Sequence, residues 1–200
     1  MANVDRQNGL RPVGSLSGAP WTGKVNMYAV ASDDTTAIFV GDLVKLTGGA
    51  GEAGETIYGI DVEGTAEITQ AAAGNKSVGV VVGFLANQDN LMQKHRAASQ
   101  ARMAMVADDP DTIFEIQEVS GGTALTSAAV GLNVDMIVAS GNPTTGNSGM
   151  ELDNATEASA AGLNLQIKGL VKRPDNAYGE HAKWLVLIND HEFRVGQTAT

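Results

Sequence analysis

Few residues in this chain carry side chains suited to chemistry, and they are scattered. His95, His181 and His191 are the only groups whose ordinary pKa lies near neutrality, and none belongs to an H-x-x-x-H or H-E-x-x-H pattern. Ser148, in GNSGM, misses the G-x-S-x-G nucleophile elbow because Met150 stands where the last glycine belongs. Asp108, Asp109 and Asp111 crowd around Pro110. Carboxylates this close suit a divalent cation, but without calcium-loop spacing they read as a strand-ending turn whose side chains bond local amides. Gly49, Gly51 and Gly54 match G-x-G-x-x-G after the strand-like DLVKL. A dinucleotide fingerprint must open a helix whose N-terminus holds the pyrophosphate. Here ETIYGIDVEG follows, rich in β-branched residues and glycine, so the match reads as a hairpin loop. A glycosidase would need two carboxylates flanking a cleft, and spacing singles out no pair among the 23 acidic residues. The expectation is no catalytic residue, no cofactor, no metal and no enzyme.

The elements that would position any site are short strands. Glycine supplies 24 of 200 residues against a usual ~7%, and charged residues 18% against ~25%, so long charged helices are not available. Strand-like runs recur every 8 to 14 residues between turn signals. They include KVNMYAVA, AIFVGDLVKL with a bulge or tight link at Gly41-Asp42, TIYGIDV, GTAEITQA, VGVVVGFL, ARMAMVADD, LNVDMIVA, NLQIKGLV and KWLVLINDHEF. TIFEIQEV alternates Ile113, Glu115 and Gln117 against Phe114, Ile116 and Glu118, the pattern of a half-buried strand. Residues 87–101 read as a helix or a loop, with Leu91, Met92, His95 and Ala98 near helical spacing. The predicted fold is all-β, a sandwich or barrel of short antiparallel strands with at most one short helix. Trp184 is expected in the core of the last strand.

Residues 1–24 follow neither period and read as an extended N-terminal arm before a β-rich body at 25–200, in one lobe or two. The formal charge is −10, yet residues 1–30 hold Arg6, Arg11 and Lys24 against Asp5 alone, a net of +2, which leaves −12 on the rest. An acidic body argues against nucleic acid as partner, while a basic arm suits an acidic protein surface. Arg6, Arg11 and Lys24 are the candidate ion-pair donors. Trp21 is a candidate apolar anchor, for a pocket on a neighbour or on its own body. The longest apolar run, SVGVVVGFLA, is too short to span a membrane. The opening MANVDRQNGL lacks the apolar core of a secretory signal, so a cytosolic product is expected. The absence of cysteine excludes disulfides.

NGLRPVGSLSGAPWTGKVNMY followed by FVGDLVKL resembles the opening of the capsid cement, or decoration, proteins of tailed bacteriophages. VGVVVGF, MVADDPDTIFEIQE and GLVKRPDNAYGEHAKWLVLINDHEF are similar to the same group in order and spacing. The resemblance implies a non-enzymatic virion protein, assembled in the bacterial cytoplasm, that binds the outer capsid surface and staples neighbouring major capsid protein subunits. It implies a homo-oligomer, with a trimer favoured. The arm would then be ordered by a sister copy or by the capsid protein. A neck, tail or fibre-base protein is the alternative.

Overall fold

Alternating β-branched and small residues, interrupted by glycine turns, give fourteen short strands and, among the described residues, one helical turn. The computed structural model describes residues 3–194; the ends of the expected arm (1–2) and body (195–200) lie outside them. The strands are β1 (Arg11–Ser15), β2 (Asn26–Val30), β3 (Leu43–Ala50), β4 (Thr56–Ile57), β5 (Ile60–Asp61), β6 (Ala66–Gln70) and β7 (Gly79–Phe84). Then come β8 (Arg102–Ala107), β9 (Thr112–Gln117), β10 (Asn133–Val134), β11 (Met136–Ile137), β12 (Glu151–Leu152), β13 (Leu165–Leu170) and β14 (Lys183–Ile188). The helical turn is 3-10, at Ser127–Ala129. The all-β expectation holds.

Five strands close a barrel in the order β2-β6-β3-β7-β8, antiparallel except for the parallel pair β2–β6. Tyr28, Val30, Val44, Ile68, Val81, Ala104 and Val106 fill its interior. Five others form an antiparallel sheet, β1-β9-β14-β13-β10. Phe114, Ile116, Trp184, Val186, Leu165 and Ile167 share one core with Leu43, Val80 and Ala107 of the barrel strands. Barrel and sheet therefore share buried apolar contacts. Trp184 is fully buried there, as the sequence suggests, and its indole nitrogen donates to Glu118 at 2.8 Å.

Two segments sharpen the sequence reading: the helix-or-loop stretch is a loop, and much of the expected arm is packed on the body. Residues 87–101 form turns rather than a helix, because side chains take the carbonyls a helix would use. The buried Arg102 guanidinium donates to Leu85 O (3.1 Å), Gln93 O (3.0 Å) and His95 O (2.5 Å). Arg96, equally buried, donates to Ala31 O, Thr36 O and Gln100 O. Asn87 and Asn90 accept from the amides two residues on, which starts turns instead of a helix.

The N-terminal segment is part of the body. Leu10 is 1% exposed and lies in the shared core. β1 pairs with β9, and Trp21 packs against that same core. The crossing that allows this lies at Gly9 and Gly41, with φ of +63° and +98°. A Cβ on Gly9 would stand 2.3 Å from Gly41 O, and one on Gly41 would stand 2.3 Å from Asn8 O. The Leu10 amide donates to Gly41 O at 2.9 Å. Residues 4–7 and most of 16–24 keep the exposed, irregular character expected of the whole arm. Leu10→Ala should therefore lower the unfolding free energy by about 2–5 kcal/mol, as for other fully buried leucines. Equilibrium urea denaturation measures it, and a loss below ~0.5 kcal/mol would show that the segment is dispensable to the fold.

Candidate binding groove

The face of the five-stranded sheet turned away from the shared core is polar at the end where β9 finishes and β14 begins, and apolar beyond it at Leu185, Leu187 and Ile113. Glu115, Gln117 and Lys183 project there because they alternate with the buried Phe114, Ile116 and Trp184. Residues 3–9 run beside this face and leave a groove of about 360 Å³, lined among others by Arg6, Arg11, Glu115, Gln117, Arg173 and Lys183. Gln117 reads from its strand as a half-exposed residue. It is 3% exposed because this segment lies over it.

The Gln117 amide organises the floor. Its Oε1 accepts from the Arg6 amide at 2.7 Å and from Lys183 Nζ at 3.1 Å. Its Nε2 donates to Asp5 at 2.7 Å and to Glu151 at 2.8 Å. Gln7 Nε2 donates to the other Glu151 oxygen at 2.7 Å. The far end of the segment is held by Asn3, which donates to Ala177 O (2.9 Å) and Glu180 O (2.8 Å) and accepts from the Ala177 amide (2.9 Å).

Asp5, Glu151 and His181 each bring one potential metal ligand within 4.8 Å of the others. The Gln117 Nε2 group already sits among them, 2.7, 2.8 and 3.4 Å from the three ligand atoms. Two donors to Oε1 fix the amide's orientation, so an N–H group takes the place a cation would need. The trio is a hydrogen-bonded clasp on the N-terminal segment.

Positive charge collects around the groove. Four cations line it against two carboxylates, Glu115 and Asp175. Arg173 is engaged by both, at 3.1 Å and 3.5 Å. The Arg6 and Arg11 guanidinia are exposed and have no partner among the described residues. Burial pushes the Lys183 ammonium below its ordinary pKa; Glu115 opposes this, while Arg173, Arg11 and Arg6 add to it. Burial also raises the Glu151 carboxyl, against the pull of its Gln117 and Gln7 hydrogen bonds.

Of the residues singled out from sequence, Arg6 and Arg11 thus come together and Trp21 and Lys24 lie apart from them. The Trp21 indole is half-buried on the body, with its nitrogen unpartnered. Lys24 is exposed beside Asn26, Asp108, Asp109 and Phe193. Sequence reasoning missed Gln117, Arg173 and Lys183, although the polar phase of TIFEIQEV marked Gln117 as facing away from the core.

The other chemical candidates have structural partners. Asp109 accepts from the Asp111 amide at 3.0 Å, and Asp108 from Tyr28 Oη at 2.6 Å. Ser148 Oγ accepts from the Met150 amide at 3.0 Å, and His191 Nδ1 from the Phe193 amide at 3.1 Å. His95 stacks on Phe39 at 4.8 Å. Gly49 lies inside β3 and Gly51 bridges Glu63, and the β4–β5 hairpin follows where a cofactor helix would start. Comparison of the chain with protein-family models, curated proteins and solved structures returns no match.

The clasp has a pH signature. Because the native Glu151 pKa is raised, its contribution to stability is fully present below the ordinary glutamate value of ~4.3 and is lost as pH rises through the native value. Glu151→Gln removes that loss. Between about pH 4 and 6 the variant's unfolding free energy should rise more steeply, or fall less, than the parent's in urea denaturation. Identical slopes would show that the carboxyl ionises in the folded protein as freely as in the unfolded chain.

Proposed function

We propose that this chain is a non-enzymatic structural protein of a tailed-phage virion, one that binds the outer capsid surface and staples neighbouring major capsid protein subunits. The observation that carries the reading is the pair of unpartnered arginines, Arg6 and Arg11, fixed at the backbone on the open face of a sheet in an otherwise acidic molecule. Unpaired charged side chains carried on a fixed backbone suit adhesion to an acidic protein surface. The resemblance of the N-terminal and C-terminal phrases to decoration proteins points the same way. So do the structural hydrogen bonds of His191, Ser148, Asp108 and Asp109. On this reading the protein acts on the virion surface, as a homo-oligomer, with the net negative charge of the body turned away from packaged DNA.

The test is reconstitution on expanded capsids that lack the protein, read by co-sedimentation and stained gels. Saturating binding in hundreds of copies per particle, comparable to the major capsid protein, is the expected result. Binding of about a dozen copies would identify a neck or tail component instead, and no binding would overturn the reading.

A further inference from the structure

The groove beside Arg6 and Arg11 has the chemistry of a receptor for a particular side chain. Its cations are crowded for a molecule with a net charge of −10. Arg6, Arg11 and Arg173 all depress the Lys183 ammonium, so the four positive groups act on one another across a small volume. The only carboxylates in the lining, Glu115 and Asp175, are both drawn to Arg173. Glu115 also bears on Lys183, so two carboxylates are shared among four cations, and the Arg6 and Arg11 guanidinium forks make no ion pair among the described residues. We propose that this groove binds carboxylates, and that it takes a glutamate- or aspartate-rich segment of a protein partner.

The structure favours carboxylate over phosphate for two reasons. A nucleic acid needs an extended basic track to displace counterions, whereas here the excess is confined to one groove on an acidic body. A phosphate dianion would also meet Glu115 and Asp175 at close range, and a singly charged, planar carboxylate matches an arginine fork with less repulsion. The inference rests on the proposed role in protein docking but not on the identity of the capsid. Two sources offer the same chemistry. One is an acidic segment of the partner shell. The other is a second copy of this chain, where burial and then the neighbouring Glu55, Asp33 and Glu52 raise the half-buried Glu67 carboxyl.

The probe is a hexaglutamate peptide, titrated into the purified full chain by calorimetry, with a hexaglutamine peptide and inorganic phosphate as comparisons. Hexaglutamate should bind, and the others should bind at least about tenfold more weakly. Raising salt from ~0.02 to ~0.5 M should weaken binding by screening. Arg6→Gln and Arg11→Gln should each weaken it roughly threefold to fivefold, in the range of exposed charge pairs. Neither guanidinium holds a fold contact among the described residues, so both variants should keep the parent's circular dichroism. Equal binding of hexaglutamine, tighter binding of phosphate, or no loss in either variant would overturn the proposal.

Sedimentation of the free protein separates the sources. Self-association in low salt that hexaglutamate competes away assigns the acidic segment to a second copy. A monomer that still binds the peptide assigns it to another protein. Both results support the carboxylate site. Because no capsid is present, a failure here is distinct from a failure of reconstitution on particles.

Discussion

The architecture depends on two backbone segments passing closer than side chains permit. Gly9 and Gly41 meet where neither accepts a Cβ, and both sit at positive φ, which glycine adopts at little steric cost. Their contact places Leu10 in the core shared by barrel and sheet and aims the chain into β1. It also reaches into the barrel, since the Gly41 amide donates to Val81 O at 2.7 Å and Asp42, one residue on, caps the Phe39 amide at 2.8 Å. The crossing delivers residues 3–9 to the sheet, where the bonds of Asn3, Asp5, Arg6 and Gln7 hold them over Gln117. The groove is thus a by-product of how the N-terminus is fastened.

Side chains then replace secondary structure in the irregular stretches. A fold with so many short strands leaves backbone carbonyls without ladder partners, and buried ones must be satisfied. Arg96 and Arg102 each gather three of them, holding residues 85–100 in a fixed loop. Glu118 serves the opposite need, accepting from the Leu125 amide, Asn154 and the Trp184 indole in the interior. Each hub is a charged group whose burial is tolerable only while every one of its bonds is made, so loss of one partner leaves an uncompensated charge. Loop shape in this protein is accordingly set by long-range contacts rather than by local turn preference alone.

That division explains what was legible in the sequence. Strand positions came through because alternation is local: Phe114 and Ile116 against Glu115, or Trp184 in its apolar run, identify themselves within six residues. Turns at glycine and aspartate were equally plain, and Gly41-Asp42 proved to be a tight link into β3. The loop at 87–101 was ambiguous because Leu91, Met92 and His95 do fall near helical spacing. What decides against a helix is Arg102 reaching back along the chain and Arg96 reaching Ala31 and Thr36, and a periodicity window contains neither. The groove was half legible. Arg6 and Arg11 stand out by charge, but Gln117 and Lys183 join them only through the β9–β14 register. The fastening of the arm was hidden for the same reason, since a single leucine at position 10 gives no period.

The fastening would also change the energetics of the proposed docking. A free arm of some twenty residues would lose roughly 1–2 kcal/mol of backbone entropy per residue on being ordered by a partner. Here residues 3–15 are ordered by the chain's own sheet during folding, so that cost is not charged against binding. Arg6 and Arg11 keep only their side-chain freedom, at most about 2 kcal/mol each on immobilisation. Their charges are held on backbone that is already in place, one by the Gln117 amide and one by the β1–β9 ladder. An adhesive surface built this way needs less contact area for a given affinity than one that folds on arrival. The exposed turn that follows is tied down as well, since the Leu16 amide donates to Asp111 O at 2.9 Å and the Trp21 amide to Val13 O at 3.3 Å. In a docking event, residues 3–21 would act as a preformed surface.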